Sequence, residues 1–435
     1  MPHRRGITNK ILEGIVLEKT NNRGAVLYAW LILAILFLGL LVSFGMRASF
    51  GAYLSPWESE FSVGRSLVTT ISMLGFTVFA VSQPFIGKLN DHFGKSVVPT
   101  SCLILMVVSL HLTSQASHIW QIFILFGVTF SIGVSGCSNV IAGAIIANWF
   151  VEKRGFALGL ATSGMAVGQL VLVPANLFII ERLGWRSTLA MLSIIILIVV
   201  GPLFIFLLRN KPEEKGMKPY GYVQSEDGGH SGNKVPHENK SLTIISVFKH
   251  KIFWLLSIPY FICGFTDVGL IQTHLVAMSE GRGFAVSDAA FAFGLIAIAN
   301  ICGTIITGHL SDHFSRKRQL AVIYTVRLLT FVLLIALRHP GLLLVFAVIY
   351  GAVEMASIAP AMSLTVQVFE GYSIGTILGI ISISHQLGGA VGSWVPGLMY
   401  DLTNSYFGVL ILSIIMLIGA ALLSLQIQEP QKTAA

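Results

Sequence analysis

Gly87-Lys88-Leu89-Asn90-Asp91-His92-Phe93-Gly94-Lys95 returns about 220 residues later as Gly308-His309-Leu310-Ser311-Asp312-His313-Phe314-Ser315-Arg316-Lys317. Each copy follows one long apolar segment and precedes another, so the chain reads as a duplicated membrane unit. A second echo has nearly the same offset: Gly155, Gly159 and Gly168 recur as Gly375, Gly379 and Gly388.

Composition agrees with this reading. Of 435 residues, 54% are hydrophobic and 11% charged, a balance that a water-soluble domain of this length would not tolerate. Segments long enough to cross about 30 Å of hydrocarbon lie near 26–50, 66–86, 98–115, 119–147, 156–180, 187–208, 252–277, 288–307, 319–337, 341–367, 374–398 and 404–427. The expected architecture is therefore all-α, with twelve transmembrane helices in two pseudo-symmetric bundles of six, 26–208 and 252–427. Segment 1–25 precedes the first bundle and 428–435 follows the second. The polar stretch 209–251, rich in Lys, Glu, Gly, Ser and Pro, is the linker between them and is expected to be mobile at its centre.

The net charge of +8 is first a statement about orientation. With the N-terminus in the cytoplasm, the inner side collects Arg4, Arg5, Lys10, Lys19, Arg23, Lys88, Lys95, Lys153, Arg154, the basic residues of the linker, Arg316, Lys317, Arg318 and Lys432. The outer loops keep Arg65, Arg182, Arg186, Arg282 and Arg338. Both termini are thus expected in the cytoplasm, with the chain in a cell or inner membrane. The first span is too long, and followed by too many others, to be a cleaved signal sequence. Cys102, Cys137, Cys263 and Cys302 all lie in apolar segments, where they read as small hydrophobes and supply no disulfide framework.

Paired G-x-L-x-D loops after the second and eighth spans of a six-plus-six chain resemble the major facilitator superfamily, and the resemblance covers essentially the whole chain. Trp149-Phe150-Val151-Glu152-Lys153-Arg154-Gly155-Phe156-Ala157-Leu158-Gly159-Leu160-Ala161 is similar to the fifth-span signature of the monocarboxylate porter family and its bacterial relatives. Ser43-Phe44-Gly45-Met46-Arg47-Ala48-Ser49-Phe50-Gly51 and Thr273-His274-Leu275 resemble the same bacterial group. The resemblance implies a proton-linked or exchange carrier of small carboxylates. It also implies an arginine early in the eighth span, where this chain has Asp288, Ala289 and Ala290. A cationic anchor must then come from elsewhere, and Arg47 in the first span is the leading candidate, because a guanidinium binds a carboxylate through two hydrogen bonds.

Ionisable and amide side chains inside spans need partners or a wet cavity, which makes them functional candidates. Arg327 and Glu354 fall at similar depth in the antiparallel ninth and tenth spans and are expected to interact, as a static pair or as a proton switch. Asp267 and His274, seven residues apart, are expected on one face of the seventh span, with the acid carrying a proton and the imidazole meeting the substrate beside Arg47. His385 and Gln386 interrupt the eleventh span, and Asn139, Gln169 and Asn300 are neutral donors with a structural alternative as helix-to-helix bonds. His385 is also a proton-carrier candidate. The small-sided fifth span, with Gly155, Gly159, Gly164 and Gly168, is expected to let helices approach closely and rock.

In the repeated loops, Asp91 and Asp312 are expected to meet helix amino ends from the opposite half, with Gly87 part of the same cytoplasmic gate. Lys95, Arg154, Arg316 and Lys317 would complete a cytoplasmic latch that holds the outward-open state. The sequence contains no phosphate loop, zinc spacing or nucleophile elbow, so neither a cofactor, a metal nor an enzyme activity is expected. The partners expected are lipid, a small carboxylate and protons, not nucleic acid, with the chain acting as a monomer. Proton symport of a monocarboxylate is the main reading; anion exchange, proton-driven export of amphipathic compounds and a non-transporting sensor are the rivals.

Overall fold

The computed structural model describes residues 3–93, 96–221, 248–369 and 374–429, with the side chains of 3–23, 91, 312, 313 and 374–376 outside that description. Twelve membrane passes follow in order: α1 Gly24–Phe61, α2 Arg65–Phe93, α3 Val97–Thr113, α4 Ile119–Trp149, α5 at 154–183, α6 at 185–207, α7 Lys251–Glu280, α8 Val286–His313, α9 Arg316–Ile335, α10 Pro340–Val368, α11 Ile374–Thr403 and α12 Phe407–Leu425. Helices α5 and α6 are divided only at Gly184, whose φ of 75° admits the left-handed backbone that ends one helix and starts the next. Helix α1 runs well past the expected limit of residue 50, to Phe61. Large apolar side chains such as Ile198, Phe206, Phe291 and Ile305 are exposed on the outside of the bundle, as a lipid-facing surface requires.

Two hydrophobic cores separate the halves. One is built almost wholly from residues between Ala29 and Leu208, the other mainly from residues between Phe253 and Ile427. The linker begins as an ordered strap: Trp149 Nε1 donates to the Arg209 carbonyl at 2.8 Å, and Tyr220 N to the Trp149 carbonyl at 2.8 Å. The expected mobile centre, 222–247, lies outside the described residues.

The glycine echo has a structural meaning that differs from the expected one. A Cβ on Gly168 would lie 2.1 Å from the Leu41 carbonyl oxygen of α1, and one on Gly388 would lie 2.0 Å from the Phe261 carbonyl oxygen of α7. Pairs α1–α5 and α7–α11 are thus the same close contact made twice, each inside its own half. Gly155, Gly159 and Gly379 face open space, so they support no rocking contact here. Gly168→Ala and Gly388→Ala should each destabilise the protein by about 1–3 kcal/mol, because backbone cannot yield as a side chain can. Gly159→Ala and Gly379→Ala should leave thermal unfolding of the purified protein unchanged. Equal behaviour of the two pairs would refute this account of the repeat.

Among the described residues, the halves meet closely at one end. A Cβ on Gly51 would meet the Gln272 carbonyl oxygen of α7 at 2.8 Å, and one on Gly397 the Thr69 hydroxyl of α2 at 2.4 Å. Ser55 donates to Glu280 at 2.7 Å across the same seam. At the other end of α2 and α8, Gly87 and Gly308 have nothing within 4 Å of such a Cβ. Among the described residues, the bundle is closed at the end bearing Asp401 and parted at the end bearing Gly87.

Candidate functional site

Between the halves lies a cavity of about 250 Å³, lined from α1, α2, α4, α5, α7, α10 and α11. Among the described residues, Arg47 is its one lining residue with a permanent charge; Gln83, Asn139, Gln169, Tyr260, Gln272, His385 and Gln386 supply the polar groups, and Phe44, Phe79, Met165, Met355 and Met362 much of the apolar wall. Because α1 extends to Phe61, Arg47 lies nearer the middle of its helix than the shorter span implied. Its guanidinium stands 4.2 Å from the centroids of both the Phe76 and Phe79 rings and donates to Gln386 Oε1 at 3.0 Å. Among the described residues it forms no ion pair. The aromatic faces hold the cation without neutralising it, leaving its charge available to an anion.

Helices α4 and α10, equivalent members of the two halves, are both broken where they reach this cavity. Helical geometry fails at Cys137 (φ −108°, ψ 41°) and resumes at Asn139; it fails again at Met355 (φ −102°, ψ 4°) and resumes at Ile358. Asn139, Val140, Met355 and Ile358 line the cavity, so the amino ends of two half-helices border it. Such ends carry free N–H groups and partial positive charge, and interrupted helices in corresponding positions of two repeats mark binding sites in carriers.

The acids sit behind this wall. Glu354 ends the first piece of α10 and is fully buried; its carboxylate accepts from Asn300 Nδ2 at 2.6 Å, Gln169 Nε2 at 3.3 Å and Gln272 Nε2 at 3.4 Å. Asp267 accepts from the Tyr350 hydroxyl at 3.2 Å, and the two carboxyl groups are close enough to interact directly. Gln169 belongs to the first half and Glu354 to the second, so this bond crosses between them. Asn300 and Gln169 serve the acid as helix-to-helix donors; Gln169 also lines the cavity, whereas Asn300 does not.

Arg327 does interact with Glu354, but through the backbone. Its Nη2 donates to the Val353 carbonyl at 2.8 Å and to the Glu354 carbonyl, while Nη1 donates to Cys263 Sγ at 3.0 Å. There is no Arg327–Glu354 ion pair among the described residues. The reason is the break in α10: it leaves the last carbonyls of a half-helix without partners, and the guanidinium caps them. Cys263 is accordingly a polar partner here, not only a small hydrophobe.

His274 is displaced from the expected role. It is fully buried outside the cavity, with Nδ1 at 3.0 Å from the Tyr406 hydroxyl and Nε2 at 2.8 Å from the Ser393 carbonyl. A seven-residue spacing keeps one face only in a regular α-helix; Phe265–Ile271 is a π-helical segment, whose wider turn sends Asp267 and His274 to different neighbours. His385 does line the cavity, with its ring centroid 4.7 Å from that of Tyr260. Sequence reasoning missed Gln83, Tyr260 and Gln272; the five-residue step from Asp267 to Gln272 fits a π-turn but not an α-helical stripe.

The loop residues are only partly visible. Lys95 and the side chains of Asp91 and Asp312 lie outside the described residues. Arg154 is exposed at the start of α5, and the amino end of α9 is served from its own half: the Lys317 backbone N–H and the Ser315 hydroxyl both donate to Glu429. The expected latch around Gly87, Arg154, Arg316 and Lys317 forms no inter-half ion pair among the described residues, consistent with parted halves at that end.

Comparison with known proteins places this architecture. Residues 36–393 match the model of the Major Facilitator Superfamily. The chain is 25% identical over 418 residues to the uncharacterized MFS-type transporter YcxA of Bacillus subtilis (strain 168), covering 91% of this chain and 94% of that one. It is 22% identical over 385 residues to monocarboxylate transporter 13 of Rattus norvegicus, covering 87% and 84%. Its fold is similar to that of a bacterial homolog of the human lysosomal transporter Spinster, in an inward-facing and unoccupied conformation, with a TM-score of 0.72, 16% identity and coverage of 92% and 96%. A duplicated set of twelve helices around a central cavity, and a family match over most of the chain, lead to one conclusion: this multi-pass membrane protein belongs to the Major Facilitator Superfamily and is a transporter, not an enzyme.

Proposed function

We propose that the protein moves a small organic monoanion, a monocarboxylate, by alternating access and in symport with a proton. The observation that carries this reading is Arg47: a permanent cation with no ion pair among the described residues, facing a cavity of about 250 Å³ between the halves. The two half-helix amino ends add positive potential to the same space. One fixed charge suits a monoanion, and the Phe and Met walls suit its hydrocarbon part. No carboxylate lines the cavity among the described residues, which counts against a cationic cargo and the export reading. The likeness to the monocarboxylate transporters supports the same class.

Glu354 with Asp267 is the proposed proton site. Gln169 and Gln272 line the cavity and also donate to Glu354, so they stand between substrate space and acid. A proton entering with the monoanion keeps the loaded carrier nearly neutral as it reorients through low dielectric. Anion exchange remains the second reading, favoured by the fixed charge of Arg47, which needs a counter-anion on the return step. The lysine and arginine bias puts the Gly87 end and both termini in the cytoplasm of a cell or inner membrane, so the parted end faces inward. The chain acts as a monomer in this reading, since the cavity is complete within one copy.

The test is uptake of labelled mono- and dicarboxylates into proteoliposomes with and without an inward proton gradient. Symport predicts that the gradient alone drives accumulation of monocarboxylates. Uptake that requires internal carboxylate and ignores the gradient establishes exchange, and transport of neither class refutes the anion reading.

A further inference from the structure

The closed end carries a third, unrecognised copy of the repeated loop motif. Gly397-Leu398-Met399-Tyr400-Asp401, at the end of α11, keeps the glycine, the aspartate and their four-residue spacing from Gly87-Lys88-Leu89-Asn90-Asp91 at the end of α2, with methionine for leucine. Here the motif is engaged. The Arg65 and Ser66 backbone N–H groups, at the amino end of α2, donate to Asp401 Oδ1 at 2.9 Å and Oδ2 at 2.8 Å. One turn earlier, Gly397 leaves no room for a Cβ, which would lie 3.2 Å from the Ser66 Cα. Glycine permits the approach and aspartate caps the helix, the division of labour that a carboxylate at a helix amino end requires.

A network extends the contact across both halves. The Arg65 guanidinium pairs with Glu58 through Nε–Oε1 at 2.6 Å and Nη2–Oε2 at 2.8 Å, donates to the Tyr406 hydroxyl at 3.0 Å, and lies 3.9 Å from the Tyr400 ring centroid. Tyr406 in turn meets His274. Helices α2 and α11 run antiparallel, so each presents its amino end where the other carries its G-x-x-x-D. Gly397 is packed and Gly87 is open in the same structure.

We propose that Asp401 is a gate residue of the transport cycle, the latch of the closed end, and that α2 and α11 carry one such latch at each end, made in alternation. Asp401 positions the helices and does not touch substrate; its role is independent of which anion is carried. The reading is tested on the full chain in proteoliposomes by amide hydrogen exchange, comparing residues 64–70 at one end with 84–93 at the other. Asp401→Ala should raise exchange at 64–70 by about fivefold and lower it at 84–93, as the population shifts toward closure of the opposite end. Asp401→Asn keeps one acceptor oxygen and should give a smaller shift in the same direction, as should Tyr406→Phe, which removes only the hydroxyl link. Unchanged exchange at 64–70, or a rise at both ends alike, overturns the proposal, because a merely structural cap would loosen the fold without the reciprocal protection.

Discussion

Alanine in place of Arg47 is expected to lower monocarboxylate uptake at least about 30-fold, since losing one partner of a desolvated, hydrogen-bonded charge pair costs about 2–5 kcal/mol. Lysine at this position should fall between, retaining the charge but not the planar fork that binds both carboxylate oxygens. The effect should appear in binding as well as flux: substrate should raise the unfolding temperature of the wild type and leave that of Arg47→Ala unmoved. Folding is not expected to suffer greatly, because the guanidinium's described contacts are two aromatic faces and one amide. Uptake by Arg47→Ala within twofold of wild type would remove the anchor, and the half-helix amino ends alone would then have to account for anion selectivity.

Much of the architecture was legible because it was written twice. The G-x-L-x-D loops and the glycine echo announced the duplication, and twelve apolar stretches placed the helices. The site was legible only by residue type. Arg47, Gln169, His385, Gln386, Asp267 and Glu354 stood out as candidates because polar groups inside apolar spans are rare, but their partners could not be read. Helical periodicity assumes unbroken α-geometry, and this site sits where that geometry fails: a π-segment separates His274 from Asp267, and a break in α10 turns Arg327 toward carbonyls instead of the Glu354 carboxylate. The interruption at Cys137 and its counterpart at Met355 leave little trace in composition, since Gly136-Cys137-Ser138 and Met355-Ala356-Ser357 look like ordinary small-residue packing. Asp401 escaped notice because it lies outside the apolar spans, among polar loop residues, where an acid calls for no explanation.

Glu354→Gln should uncouple transport from the proton gradient while leaving exchange intact. For one-to-one symport, each unit of pH difference sustains about a tenfold accumulation, and the variant should sustain none. The chemistry follows from the donors around the carboxyl: Asn300, Gln169 and Gln272 all point N–H groups at it, an arrangement that suits an acceptor-only carboxylate. Protonation puts a donor on one of those oxygens and weakens at least one of the three bonds; glutamine imitates that state permanently. The bond from Gln169 is the one that crosses between halves, so the neutral form releases a tie that the charged form makes. The variant should therefore exchange labelled for unlabelled substrate at rates near those of the wild type, and fail only in net accumulation. Asp267→Asn distinguishes the two acids, because Asp267 has the Tyr350 hydroxyl as its donor and no described bond to the first half. If Glu354→Gln still accumulates substrate against a gradient and Asp267→Asn does not, the proton resides on Asp267 and Glu354 is a structural tie. Full accumulation by both variants would move coupling away from this pair, to His385 as the one histidine on the cavity wall among the described residues.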